Sequence, residues 1–319
     1  MFRSFFIWLS KLDWAQKMIM RWGLAWRAAS RFIAGETPED AIRVIRELNT
    51  RGIQTSLDHL GENTVRPEDA VQATSDILEL LDKIKLSGVQ SNISVKLTQI
   101  GLALGDELCK ENLNRILKKA QTLGNFIRLD MEESQFTDNT LYLYRYFRSI
   151  GFNNVGIVIQ AYFYRSRQDI LSLAEIKTRV RLCKGAYQEP SKLAYPKKKD
   201  VDANYEQLAN ILLDEALSIG INDRIVDPIF PPIPAIATHD ANRIRQVKDY
   251  ALKIGLAPQL FEFQMLYGIR RDLQEELVKQ GYRVRVYVPY GTRWYPYFMR
   301  RLAERPANVW FFLSNYFRK

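Results

Sequence analysis

The sequence predicts an α/β chain folded as a distorted (β/α)8 TIM-like barrel with an N-terminal helical extension. Apolar, β-branched runs alternate with helical periodicity eight times between Ile53 and Glu304. The runs are continuous rather than alternating in polarity, as in a parallel sheet covered by helices. Eight such units in about 250 residues match one closed barrel. A doubly wound sheet is the alternative, but no G-x-G-x-x-G follows the first run, so the dinucleotide fingerprint is absent.

The elements follow in order. Thr37-Pro38-Glu39-Asp40 supplies a cap, a first-turn proline and early acids for a helix over 38–50. GIQTSLDHLGE is the first strand, and Thr64 to Asp69 starts a long helix reaching about 86. SNISVKLTQIG leads to a helix over 106–123, NFIRLDMEES to one over 137–149, and NVGIVIQAY to one over 166–176. TRVRLCKGAY precedes a helix over 202–219, PAIATHDAN one over 241–254, and LFEFQMLYGI one over 270–280. RVRVYVPYG and a helix from about 293 complete the series. The stretch 188–200 reads as a loop after strand five, its Lys197-Lys198-Lys199 run solvated. Residues 1–50 form the helical segment and 51–319 the barrel domain.

Composition bounds the function. Hydrophobic residues make up 47% of the 319, enough for an extensive core. Two cysteines and two histidines leave little material for a disulfide framework or a zinc site, so no metal is expected and a reducing, cytoplasmic setting fits. The net charge of +10 lies at the ends, +5 in residues 1–34 and +7 in 281–319. No nucleic-acid-binding motif accompanies it. Residues 1–34 mix Phe, Trp and Met with Arg and Lys, and their longest apolar run, FFIWL, is far too short to span a bilayer. This basic, aromatic segment suits peripheral contact at the inner face of the cell membrane, or packing of its aromatic stripe on the protein itself.

Barrel active sites form where strands end. Those ends are polar here: Asp58 and Glu62, Lys96, Arg128 and Asp130, Gln160, Arg179, Arg181 and Lys184, Thr238-His239-Asp240, Glu262 and Gln264, and Tyr287. Buried charge is costly unless paired or used, so together they argue for a site. Taken singly, each keeps two readings. Lys96 is a Schiff-base nucleophile or the ion-pair partner of Asp130; His239 is a general base or a structural hydrogen-bonding group. Arg181 points inward by strand alternation and can pair with Glu62. On the last helix, Arg300 and Arg301 offer forked donors for a small carboxylate, and Glu304 shares their face to hold an ammonium or steady the guanidiniums. Such a set suits an amino acid, and a solvated charged helix is the plain alternative.

Six segments resemble the proline dehydrogenase family of flavoenzymes, in its monofunctional bacterial form: SVKLTQIG, FIRLDMEES, RLCKGAYQEP, ATHD, FEFQMLYGI and YVPYG…YFMRRLAERPAN. They stand in family order along the chain, the last ending at Asn308. The resemblance implies a barrel that binds FAD without a Rossmann fold and oxidises L-proline to Δ1-pyrroline-5-carboxylate. It implies that Arg300, Arg301 and Lys96 hold the substrate carboxylate, that Tyr287 packs on the ring, and that Glu304 lies near it. Asp130 orients the lysine, Arg181 donates toward the reactive edge of the flavin, and Glu62 pairs with that arginine to gate the site. Cofactor contacts carry over to Met131, Gln160, Lys184, Gly185, Ala186, Thr238 and His239. ATHD has Asp240 where many relatives have Asn, a position read as peripheral. The family passes its electrons to a membrane quinone, which gives the N-terminal segment a use. The rival readings are a Schiff-base lyase using Lys96 and a non-catalytic basic binding protein.

Overall fold

A computed structural model describes residue 26 and residues 29–219 and 227–304, without the side chains of 303 and 304. Eight parallel strands close into a barrel in sequence order, β1 pairing with both β2 and β8. They are β1 (Gln54–His59), β2 (Ser91–Val95), β3 (Ile127–Leu129), β4 (Val155–Gln160), β5 (Val180–Cys183), β6 (Ala235–Ala237), β7 (Glu262–Leu266) and β8 (Arg283–Tyr290). The helices are α1 (Pro38–Asn49), α2 (Pro67–Ser87), α3 (Asp106–Thr122), α4 (Thr137–Ser149), α5 (Ser166–Ala174), α6 (Lys198–Ser218), α7 (Ala241–Lys253), α8 (Arg271–Lys279) and α9 (Tyr295–Glu304). Among the described residues no helix is long and apolar enough to cross a membrane.

The helix starts follow their capping chemistry. At α1 the Thr37 hydroxyl accepts from Asp40 N at 3.2 Å and the Asp40 carboxylate reaches back to Thr37 N, a complete capping box. At α7 the Asp240 carboxylate accepts from Asn242 N at 3.0 Å. Helix α6 begins at Lys198, four residues earlier than the pattern predicts, so the loop before it is shorter. Lysines at a helix N-terminus oppose the dipole, which hides such a start in sequence; here Lys198 is paired with Asp202 one turn on.

Helix α1 explains the distortion. It packs against β1 and β8, where a regular barrel places the helix that follows β8. With that slot filled, α9 is set over the mouth, packed on Phe32, Ile33, Leu60 and Ile269 in a cluster separate from the main core. Its polar face thereby meets the strand ends.

Inside the barrel the charged strand residues divide into two layers, and only one reaches the mouth. Arg128, Arg179 and Glu262 belong to the lower layer. Glu262 accepts from Arg285 Nε at 2.9 Å and from the second nitrogen at 3.2 Å, both side chains fully buried. Arg285 also donates to the carbonyls of Thr55 at 2.9 Å and Pro228 at 3.1 Å. Arg128, also fully buried, donates to the carbonyls of Ile157 and Arg179 and lies 5.0 Å from the Phe126 ring centre. Gly156 makes room for it: a Cβ there would fall 2.6 Å from both the Arg128 guanidinium and the Arg179 carbonyl. Gly156→Ala is expected to cost about 1–3 kcal/mol by overpacking. Thermal unfolding checks this, and an unchanged midpoint would show that the guanidinium has free space.

Candidate active site

Strand alternation brings Ser56 and Asp58, Ser94 and Lys96, Arg181 and Cys183, and Tyr287 to the inner face near the strand ends. Register sets their neighbours: Ser56 lies beside Tyr287, and Asp58 beside Ser94. Lys96 follows β2, and Asp130 N bonds to the Val95 carbonyl, so lysine and aspartate stand side by side. With the βα loops and α9, these residues enclose a cavity of about 760 Å³.

At its floor seven side chains interlock. Asp130 Oδ1 accepts from Arg181 at 3.0 Å and Oδ2 from the Tyr287 hydroxyl at 2.8 Å. Arg181 also donates to Ser94 Oγ at 3.1 Å and Ser56 Oγ at 3.2 Å. Lys96 Nζ donates to Asp58 Oδ1 at 2.8 Å and lies 3.2 Å from the Tyr287 hydroxyl, but is 3.8 Å from Asp130. The closest partner of Lys96 is therefore Asp58, and Asp130 serves Arg181 and Tyr287 first. Burial works against the lysine's charge, yet Asp58, Asp130 and Glu62 outweigh it and raise its pKa above the ordinary value. Burial and the adjacent Asp130 hold the Tyr287 phenol well above its usual range, so it stays neutral and donates.

Over the cavity, Glu62 takes a forked pair of hydrogen bonds from Arg300, one at 3.1 Å. Burial pushes the Glu62 pKa up, but Arg300 wins and keeps it low. The expected pairing of Glu62 with Arg181 is thus corrected: Arg181 lies on the floor with Asp130, and Glu62 reaches α9, because α9 sits over the mouth. Arg301 lines the same cavity, its guanidinium 5.1 Å from the Tyr297 ring centre. The Glu304 side chain lies outside the described residues.

The other wall is formed by the ends of β4 to β7. Gln160 Nε2 donates to the Met131 carbonyl at 3.0 Å. Lys184 sits between Asp202 and Asp240, 3.0 Å from the latter. Asp240 is therefore not peripheral: it lines the cavity, pairs with Lys184 and caps α7. His239 Nε2 accepts from Leu266 N at 2.8 Å, a hydrogen bond that joins the end of β6 to β7 and fixes the ring on the cavity wall. Gly185, Ala186 and Thr238 line the same wall.

Of the residues that the family resemblance singled out, all whose side chains are described line this cavity, whereas the strand-end candidates Arg128, Arg179 and Glu262 lie in the lower layer and do not. Sequence reasoning counted Asp58 among the polar strand ends without giving it a partner, and gave no role to Tyr187 or Tyr297; all three line the cavity. Tyr297 was within reach, since it precedes Arg300 and Arg301 by three and four positions on one helix and shares their face. Tyr187 follows Gly185 and Ala186, but nothing in a loop's sequence gives its direction. Among the described residues no group of three or more His, Cys, Asp or Glu could hold a metal ion.

Comparison with known proteins bears on this geometry. The family model described as "Proline dehydrogenase" matches residues 41–313. The chain is 41% identical over 290 residues to a proline dehydrogenase of Deinococcus radiodurans, covering 90% of this chain and 89% of that one. It is 39% identical over 309 residues to proline dehydrogenase 2 of Bacillus subtilis, covering 97% and 96%. Among solved structures it resembles proline utilization A from Bdellovibrio bacteriovorus, inactivated by N-propargylglycine, with TM-score 0.78 and 28% identity. That match covers 88% of this chain but only 33% of the longer one.

Proposed function

Because the chain belongs to the proline dehydrogenase family, whose reaction is proline oxidation, we propose that it converts L-proline to Δ1-pyrroline-5-carboxylate with FAD and delivers the electrons to a membrane quinone. The observation that carries the reading is the split of the cavity into two differently equipped walls. Lys96, Arg300 and Arg301 lie toward α9 and β2, a set for a small carboxylate; amide, backbone and cationic groups line the ends of β4 to β6.

The second wall fits a flavin. Gln160 Oε1 is buried without a hydrogen-bond partner, as an acceptor awaiting a ligand N–H would be. Gly185 has φ +115°, and a Cβ there would run into the Tyr162 ring, so the turn leaves backbone facing the cavity. A cavity of about 760 Å³ is also large for proline alone. Met131, Gln160, Arg181, Lys184, Gly185, Ala186, Thr238 and His239 would hold the cofactor. When bound, FAD supplies the two-electron acceptor for the hydride leaving proline C5.

The chain's own residues do the rest. Lys96, Arg300 and Arg301 fix the substrate carboxylate, and Tyr287 presents its ring to the pyrrolidine face. Arg181, anchored by Asp130 and two serine hydroxyls, keeps a fixed positive charge beside the redox partner, and such preorganised charge is worth most where negative charge develops. The substrate amine must be neutral when hydride leaves, since an ammonium has no electron pair to form C=N. Glu62 and Arg300 must part to admit proline and re-form to exclude water. Glu304, four positions after Arg300 in the sequence, is the residue this reading assigns to the substrate amine. The Schiff-base alternative is weakened, because Asp58 and Asp130 keep Lys96 protonated and a protonated amine is no nucleophile.

The Tyr287 ring also bears on specificity: it would crowd a hydroxyl on C4, so proline should be strongly preferred. Comparable kcat/KM on 4-hydroxyproline would contradict that. Residues 1–25, which carry most of the basic aromatic segment, lie outside the described residues. In this reading they dock the protein on the inner face of the cell membrane, near the quinone. Vesicles with anionic lipid should then pellet the protein in a salt-sensitive way.

The experiment that tests the function is an anaerobic absorbance spectrum before and after L-proline. A flavin spectrum bleached by proline and not by other amino acids is expected. A flavin that stays oxidised would move the substrate assignment, and no flavin after adding FAD would overturn the cofactor.

A further inference from the structure

We propose that Glu132 is a positioning residue for the closure that Glu62 and Arg300 make over the cavity, and that it acts through Thr98. The inference rests on the reading above, in which that closure seals bound proline from water. Glu132 follows Asp130 and Met131 in the chain, yet its carboxylate engages Thr98 instead of the floor. Oε1 accepts from Thr98 N at 3.0 Å and Oε2 from the Thr98 hydroxyl.

Thr98 holds the gate loop in turn. Its hydroxyl accepts from Asn63 N at 3.2 Å, and its carbonyl accepts from Thr64 N at 3.2 Å and from the Thr64 hydroxyl at 2.9 Å. These two residues directly follow Glu62. Asn63 has φ +50°, a conformation that a non-glycine residue keeps only where its surroundings fix it. On the other side of Glu62, Gln99 Nε2 donates to the His59 carbonyl at 3.0 Å. The direction of Glu62 toward Arg300 is thus set by the loop after β2, and that loop is set by Glu132. With 4% exposure, Glu132 has little competing water.

The strut can change charge near neutral pH. Burial pushes the Glu132 carboxyl up to about 7, while the two Thr98 bonds pull the other way. Glu62 on the gate loop raises it further and Lys96 at the end of β2 lowers it. Cys109 on α3 and Tyr187 after β5 also face it, and burial keeps both neutral. Ionised, Glu132 accepts both Thr98 bonds as charge-assisted ones; protonated, it holds Thr98 more weakly. Closure is therefore firmer on the alkaline side.

The test uses the flavin-loaded enzyme and its Glu132→Gln and Thr98→Val variants between about pH 5.5 and about 8.5. Proline KM and kcat are measured, with the calorimetric Kd of cyclopentanecarboxylate, which has proline's carboxylate but no nitrogen. Glu132→Gln is expected to match wild type at the acid end. At the alkaline end its KM should be about tenfold higher, with kcat changed less and the analogue's Kd moving alongside. Thr98→Val should raise both constants across the whole range. A Glu132→Gln to wild-type ratio that stays flat with pH, at one or elsewhere, overturns the proposal. Should Glu132→Gln fail to fold, wild-type constants that do not tighten on the alkaline side would overturn it equally. Wild-type flavin left oxidised by proline would instead count against the functional reading, and analogue binding would still report on the closure.

Discussion

Replacing Asp130 by alanine is expected to reduce kcat/KM for proline by on the order of 10²–10³-fold while leaving the barrel folded. Both of its oxygens are in use, one by Arg181 and one by Tyr287, and Lys96 lies 3.8 Å away. One truncation therefore releases Arg181 and Tyr287, which the proposed reading sets beside the flavin and the substrate ring, and removes a charge that balances the lysine. The loss should fall mainly on the rate of anaerobic flavin reduction rather than on flavin content. Asp58→Ala makes the contrast: it unseats Lys96 from its 2.8 Å partner but spares the Arg181–Asp130 pair, so KM should suffer more than kcat. Asp130→Ala keeping a third or more of wild-type flavin reduction would remove Asp130 from the centre of the site.

Glu262→Gln is expected to produce the opposite pattern, a loss of about 3–5 kcal/mol in stability without a direct effect on substrate contacts. Glu262 and Arg285 lie fully buried in the lower layer, so removing the carboxylate leaves a guanidinium in the barrel without its counter-charge. Replacing both residues with apolar side chains of similar volume should recover much of the loss, because the pair's desolvation cost goes with it. Burial raises the Glu262 pKa, but Arg285 more than compensates and holds it below the ordinary value. A carboxyl depressed by folding contributes stability that is present above its unfolded pKa and lost as pH falls through the folded one. The gap between wild type and Glu262→Gln should therefore narrow in acid. Urea unfolding at neutral and acid pH measures both effects, and a variant as stable as wild type at neutral pH would show that the ion pair adds nothing.

Much of this architecture is legible in the chain because its signals are local. The order of eight strands and their helices follows from continuous apolar runs, and capping chemistry placed the start of α1 within a residue. Start signals fail where local chemistry points the wrong way, as with the lysines that open α6. The inward direction of Arg181 follows from strand alternation alone, and the cavity residues follow from lying at strand ends.

What the chain could not give by itself is the choice of partner between elements. Lys96, at the end of β2, has an aspartate on each neighbouring strand, and the pairing read from sequence was the one with Asp130 after β3. The short contact is with Asp58 on β1, on the other side. Glu62 could not be matched to Arg300 from sequence, since that pairing depends on α1 filling the slot between β8 and β1 and leaving α9 over the mouth. The split of the interior charges into a structural layer at Glu262 and Arg285 and a functional one at Asp130 and Arg181 also needs depth along the barrel axis. Residue type and spacing thus determined the fold class, the strand ends and the candidate chemistry. Tertiary structure alone decided which charges meet, because ion pairing depends on distances between elements that share no local sequence.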